Sequence, residues 1–324
     1  MAWWHMSLNK TVFFICVLFI ILSVGVHFTP NFSSISIISL LNGASPNYRN
    51  PCIDFLHSIE YKNRTECADR PVEKTWSWMQ SRPRVATCEF KKLKKPDASV
   101  MLNRSWVVFA GDSQTRLGMI SLLKLVELPE RVRKVREDLA KLHTDYSTFV
   151  DSIGMKLDFK WKPYVRRLSK LMLEFKKNKK YPDIIVMGAG LWDMLYENNV
   201  SDYDASLRGL RNSLQDLNSK DRRVQPHLFW LGMPTLINSK LKTEEKRHNL
   251  TEPRRIRYDN TVNGSKLLNK FGGPCLKLDI QLLSELCGPQ CTKDGLHYDE
   301  IVYDIAIQIM LNAMLIESTH KTHF

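Results

Sequence analysis

The chain has 324 residues, 44% of them hydrophobic and 25% charged, which excludes a disordered chain and fits one large or two smaller globular domains. Its formal net charge of +13 points to an anionic partner (nucleic acid, anionic lipid or an acidic polymer) or only to solubility.

Residues 1–10 are expected to form a cytosolic tail. Thr11 to Phe28, "TVFFICVLFIILSVGVHF", is uncharged and about long enough to span a bilayer. No small-x-small cleavage site follows, which favours a transmembrane signal anchor over a cleaved signal peptide. Residues 29–49 are rich in Ser, Asn and Pro and read as a stem. Acceptor patterns for N-glycosylation then start at Asn31, Asn63, Asn103, Asn199, Asn249 and Asn263. Outside the apolar run stand Cys52, Cys67, Cys88, Cys275, Cys287 and Cys291, an even set that fits disulfides in an oxidising compartment; their pairing stays open. There is no Cys-x-x-Cys pair, and no metal site is expected. Together these features predict a single-pass type II membrane protein with a lumenal body. Nucleic acid drops out as a partner.

Residues 50–104 carry three of the cysteines, Trp76, Trp78 and many turn residues, and are expected to be a disulfide-stapled, loop-rich part of the lumenal domain. Lys91, Lys92, Lys94 and Lys95 read as a solvated face. The pattern changes at Ser105. "WVVFA" predicts a buried strand, and the apolar spacing of Leu117, Ile120, Leu122, Leu123 and Leu125 predicts a helix after it. Further strands are expected in "DIIVMGAG", "HLFWLGMP" and, more weakly, "CLKLDI". Amphipathic helices are expected over 165–175 and 203–217, with a mostly buried helix over 301–315. Alternating strands and helices predict an α/β domain over 105–324 with a parallel sheet, whose functional loops lie at the carboxyl ends of the strands.

Gly111-Asp112-Ser113 follows the first of those strands. A serine there would stand at a helix N-terminus, where N–H groups and the helix dipole favour a developing oxyanion. The alternative is an ordinary N-cap. A nucleophilic serine needs a base, and the base needs an orienting acid. Asp294 and His297 supply that pair in "CTKDGLHYDE", with Gly295 between them to ease a turn. Arg116, three residues after Ser113, would help hold an oxyanion, or serve a surface ion pair. Trp192 and Asp193 would line a sugar site, with core packing the alternative for the tryptophan.

These blocks resemble the SGNH hydrolases, in the PC-esterase branch. That branch includes plant Golgi polysaccharide O-acetyltransferases of the trichome-birefringence-like and altered-xyloglucan types and the lumenal domain of sialate O-acetyltransferase. The resemblance runs from about Asn50 to the C-terminus. It rests on Gly111-Asp112-Ser113 with Arg116, on "PDIIVMGAGLWDM" with Gly190 and Trp192, on Asp294-x-x-His297, on "WSWMQSRPRVATCEF" and on "FKWKPYV". It implies a three-layer α/β/α sandwich and a Ser113-His297-Asp294 triad working through an acetyl-enzyme. The implied acceptor is a cell-wall polysaccharide, xyloglucan or xylan. Acetyl-CoA or a membrane-borne acetyl intermediate is the donor, with no cofactor bound. The Golgi membrane and other proteins of the acetylation pathway are the remaining implied partners. An acetyl-esterase with the same triad and a non-catalytic accessory protein are the rival readings. Many members have an oxyanion-donating asparagine where this chain has Gly188, so N–H groups around Gly188 to Gly190 would have to take its place.

Overall fold

The computed structural model describes residues 50–64, 73–140, 143–217 and 225–321. The expected anchor and stem, with Asn31 and Cys67, lie outside the described residues. An antiparallel pair, β1 (Ile59–Arg64) and β2 (Glu73–Trp78), leads through α1 (Pro83–Ala86) and α2 (Lys95–Met101) to β3 (Trp106–Gly111). Then come α3 (Ser113–Val126), α4 (Pro129–Ala140), β4 (Tyr146–Val150), β5 (Met155–Trp161), α5 (Val165–Asn178) and β6 (Ile184–Gly188). A π-helical turn, Asp193–Glu197, precedes α6 (Val200–Leu217) and β7 (His227–Leu231). The chain ends with α7 (Glu244–Asn249), α8 (Glu252–Gly264), β8 (Leu276–Leu278), α9 (Ile280–Cys287) and α10 (Glu300–Lys321).

The main sheet has the order β4-β5-β3-β6-β7-β8. Every neighbour pair is parallel except the edge pair β4–β5, so the central sheet is parallel as expected, with one antiparallel edge strand. Strand periodicity builds the layers. Val107 and Phe109 of β3 face one core with α3, α9 and α10, while Val108 and Ala110 face a second core with α5, α6 and α8. All four are fully buried. Burying an apolar side chain of Val or Phe size is worth about 1.5–3 kcal/mol, so a strand sealed on both faces anchors the sheet. This is a three-layer α/β/α arrangement.

The segment before β3 completes the first core. Trp76, Trp78, Phe90 and Leu93 pack there, and the Cys52–Cys88 disulfide closes the segment. Gln308 and Asn312 of α10 lie one turn apart and pair with the backbone of Leu93 and Lys91 by bonds of 2.7–3.0 Å, treating that stretch as a sheet edge. Helix α10 is long and apolar enough to cross a membrane, but two thirds of the stretch is buried inside the protein (67%), which makes it a core helix.

Cys287 pairs with Cys291. Cys275 overturns an expectation: it is free and fully buried in the second core, where burial pushes its thiol well above the usual range. Of the sequon asparagines with described side chains, Asn103 and Asn199 are exposed; Asn263 and Asn249 are half-buried. Asn249 Nδ2 already donates to the Leu195 carbonyl at 3.1 Å.

Candidate active site

Two glycines at matching register bring β3 and β6 together beneath the site. Gly111 stands opposite Gly188, and a Cβ on Gly111 would run into the Gly188 carbonyl. A Cβ on Gly188 would meet the Leu231 carbonyl and Thr115 Cγ2, both at 2.9 Å. The side-chain donor that Gly188 lacks therefore has no room at this position.

The chain turns from β3 directly into α3. Asp112 is the N-cap, its carboxylate accepting from Gln114 N–H at 2.9 Å. The cap role is thus filled, and Ser113, the first helical residue, is free for other work. Its Oγ lies 2.7 Å from His297 Nε2. His297 Nδ1 lies 2.7 Å from Asp294 Oδ2. These partners assign the tautomer: Nδ1–H donates to the carboxylate, and Nε2 accepts from the serine hydroxyl.

The loop holding the pair is tightly made. Asp294 Oδ1 accepts from His297 N–H at 2.8 Å and Leu296 N–H at 3.0 Å. Gly295 has φ +75°, and a Cβ there would strike the Ile237 carbonyl. Thr292 Oγ1 accepts from Gly295 N–H at 3.0 Å. Burial pushes the Asp294 carboxyl up, but the bonds from His297 and Leu296 and the imidazole's charge outweigh it and hold the group well below the usual carboxylate range. It stays ionised, as an orienting acid must.

Gln114, which the sequence reading did not single out, ties the two halves together. Its Nε2 donates to the Leu296 carbonyl at 3.1 Å, and its Oε1 accepts from Tyr303 of α10. Its only sequence signal was a polar residue at a buried helical position. Buried Asp112 has its carboxyl raised to about 6 by desolvation, opposed by Gln114 N–H, His297 and Arg116.

Of the other candidates, Asp193 is the one placed differently than expected. Arg116 Nη1 donates to the Leu139 carbonyl at 2.9 Å, a strut between α3 and the last turn of α4. Trp192 is half-buried against the first core and lies among Trp161, His143, Tyr164 and Tyr196. Asp193 does not line an open site: it is 2% exposed, its Oδ2 has no partner among the described residues, and burial raises its carboxyl to about 7. Gly190, at φ +133°, packs where a Cβ would meet Met233 Sδ at 2.8 Å and the Tyr203 hydroxyl at 3.0 Å. A cavity of about 870 Å³, lined by residues that include Trp76, Lys92, Lys124 and Ile301, includes none of the three triad residues. Side-chain geometry, not cavity size, locates the site. Among the described residues no group of His, Cys, Asp and Glu is arranged to hold a metal.

No family model matches the chain. It is 45% identical over 345 residues to Protein ALTERED XYLOGLUCAN 9 of Arabidopsis thaliana, covering 98% of this chain and 93% of that protein. It is 25% identical over 237 residues to the N-acetylneuraminate (7)9-O-acetyltransferase of Danio rerio, covering 70% of this chain and 28% of that one. Among solved structures, the acetylxylan esterase Axe2 from Geobacillus stearothermophilus aligns at 16% identity and a TM-score of 0.39, over 65% of this chain and 94% of its own. The α/β hydrolase LAE5 from the metagenome of Lake Arreo aligns at 13% identity and a TM-score of 0.40, over 66% of this chain and 97% of its own.

Proposed function

The chain belongs to the family of Protein ALTERED XYLOGLUCAN 9, and from that premise we propose that it is an O-acetyltransferase acting on a cell-wall polysaccharide, xyloglucan or xylan, in the Golgi lumen. The observation that carries this reading is the line Asp294–His297–Ser113, closed by two contacts of 2.7 Å. A capped helix N-terminus beneath the serine supports it.

In this mechanism His297 Nε2 takes the Ser113 hydroxyl proton as Oγ attacks the acetyl carbonyl carbon of the donor. Asp294 holds the ring and stabilises the imidazolium. The tetrahedral oxyanion rests on Ser113 N–H and on N–H groups around Gly188 to Gly190. The donor's leaving group departs with the proton from His297, leaving acetyl-Ser113. A sugar hydroxyl then gives its proton to His297 and attacks the acetyl carbon. Ser113 leaves, regains its proton, and the acetylated sugar is released. Acetyl-CoA or a membrane-borne acetyl carrier serves as donor. The apolar run at 11–28 tethers the chain to the Golgi membrane. Water in place of the sugar turns the same cycle into an esterase; His297, 36% exposed, is open enough to admit it.

The test uses the full chain in detergent with labelled acetyl-CoA or a labelled acetyl ester, with and without polysaccharide. Label should appear on Ser113 and pass to the sugar. Release as acetate alone makes the protein an esterase. An unlabelled Ser113, or a Ser113→Ala variant with undiminished transfer, would overturn the triad mechanism.

A further inference from the structure

Beside the triad stands a cluster of rings that the cycle above leaves unused. Strand register brings Trp161, the last residue of β5, alongside Gly111, two residues before Ser113. Trp161 shares the alternation of Leu157 and Phe159 and faces the first core, the side on which α3 lies. His143 stacks on Trp161 with centroids 4.4 Å apart and planes 4° from parallel. Trp192, four residues past Gly188, meets Trp161 edge-on at 5.4 Å, and Tyr164 and Tyr196 pack on Trp192 at 6.0 and 5.1 Å. The base is buried and the top is open: Trp161 is 9% exposed, Tyr196 is 50% exposed, and His143 is exposed.

We propose that the shelf of Trp161, His143, Trp192, Tyr164 and Tyr196 is the subsite that holds the acceptor sugar chain next to Ser113. Aromatic faces offer broad apolar contact suited to the C–H face of a sugar ring, with a polar handle on Tyr and His. Lys160 and Lys162 are paired with Asp145, Arg166 is paired with Glu197, and Arg166 and Arg167 lie over the Tyr164 ring. These paired side chains offer sugar hydroxyls both donors and acceptors. The role of this subsite as the acceptor's seat rests on the acyl-transfer reading above.

Binding is measured by calorimetry on full-length Ser113→Ala protein, with neutral xylo- and xyloglucan oligosaccharides. The neutral chains should bind, and Tyr196→Ala or Trp192→Ala should weaken them about tenfold per ring lost. Tyr196→Phe should keep the affinity, and Leu173→Ala, on the exposed side of α5, serves as the remote control. Unchanged affinity in Tyr196→Ala and Trp192→Ala, or no binding of neutral chains, would overturn the subsite. Labelling of Ser113 in the unaltered protein is read separately. Absent label with ring-dependent binding sinks the acyl-transfer reading and leaves the subsite standing; normal label with ring-independent binding does the reverse.

Discussion

Asp294→Asn is the sharpest perturbation of the triad, because the surrounding loop dictates which way the new amide must point. Asp294 Oδ1 accepts from two backbone N–H groups, at 2.8 and 3.0 Å. Only an oxygen can sit there. The amide nitrogen must therefore take the Oδ2 position, 2.7 Å from His297 Nδ1, and donate to it. Nδ1 then becomes the acceptor and Nε2 carries the proton, so the ring can no longer take the Ser113 proton. In serine-protease triads this tautomer change lowers turnover by about 10⁴-fold, or about 5.5 kcal/mol of transition-state stabilisation. The loop keeps both bonds to Oδ1, so the fold should persist. The assay is the pre-steady-state burst with a chromogenic acetyl ester, which reads acylation of Ser113 directly, alongside a thermal melt. A burst rate within tenfold of the unaltered protein, with an intact melt, would refute the proposed roles of Asp294 and His297.

Gly188→Asn, which restores the side chain that many relatives of this fold carry, should lower stability by about 1–3 kcal/mol and give no gain in acylation rate, because its Cβ would press on the Leu231 carbonyl and Thr115; a faster burst would contradict this. Chain entropy assigns about 4 kcal/mol to Cys52–Cys88, separation 36, and about 2 kcal/mol to Cys287–Cys291, separation 4, so serine pairs at these sites should differ in that order in denaturant melts. Asp193 has its carboxyl raised from 3.8 to about 7 by burial. The folded chain then holds a proton that the unfolded chain releases above its own pKa, so this group's contribution falls as pH rises from about 4 to about 7, by up to about 4 kcal/mol. Buried His57, lowered to about 4, acts in the opposite sense over much of the same window, so the comparison is between variant and parent. Asp193→Asn should match the parent near pH 4.5 and exceed it in denaturant midpoint near pH 7.5; parallel pH profiles would rule the argument out.

What could be read from the sequence follows from how each element is solvated. β3, β6 and β7 are sealed on both faces and show as continuous apolar runs. β5 is not: Met155, Leu157, Phe159 and Trp161 alternate with Lys156, Asp158 and Lys160. Asp158 is nevertheless buried, accepting from Trp106 Nε1 and Ser147 Oγ and pairing with Lys156. Charged letters in a buried strand hid it from a search for apolar runs, and the Trp161 shelf was hidden with it. The triad was legible because its chemistry needs particular residue types in short blocks. The contact across 184 positions was not, since it depends on the sheet bringing α3 and the Asp294 loop together. The cap at this turn belongs to the neighbour of Ser113, because Asp112 takes the Gln114 N–H, and the Ser113 hydroxyl is left to meet His297. Cys275 failed for a related reason: counting cysteines ignores which of them a strand draws into the core.

Gly188 shows the same dependence on packing most clearly. From the sequence alone it is a missing oxyanion donor. In the fold it is one of two facing glycines that let β3 and β6 close to the spacing at which Thr115 and the Leu231 carbonyl fill the space above. An asparagine side chain and this close approach exclude each other. If the site stabilises an oxyanion, it must therefore do so from the backbone, through the first turn of α3 and the Gly188 to Gly190 turn. Main-chain donors of this kind cannot be deleted by truncating a side chain. The most informative variants here are those that displace the backbone, such as an alanine at Gly190, where φ +133° and contacts of 2.8 and 3.0 Å leave no place for a Cβ.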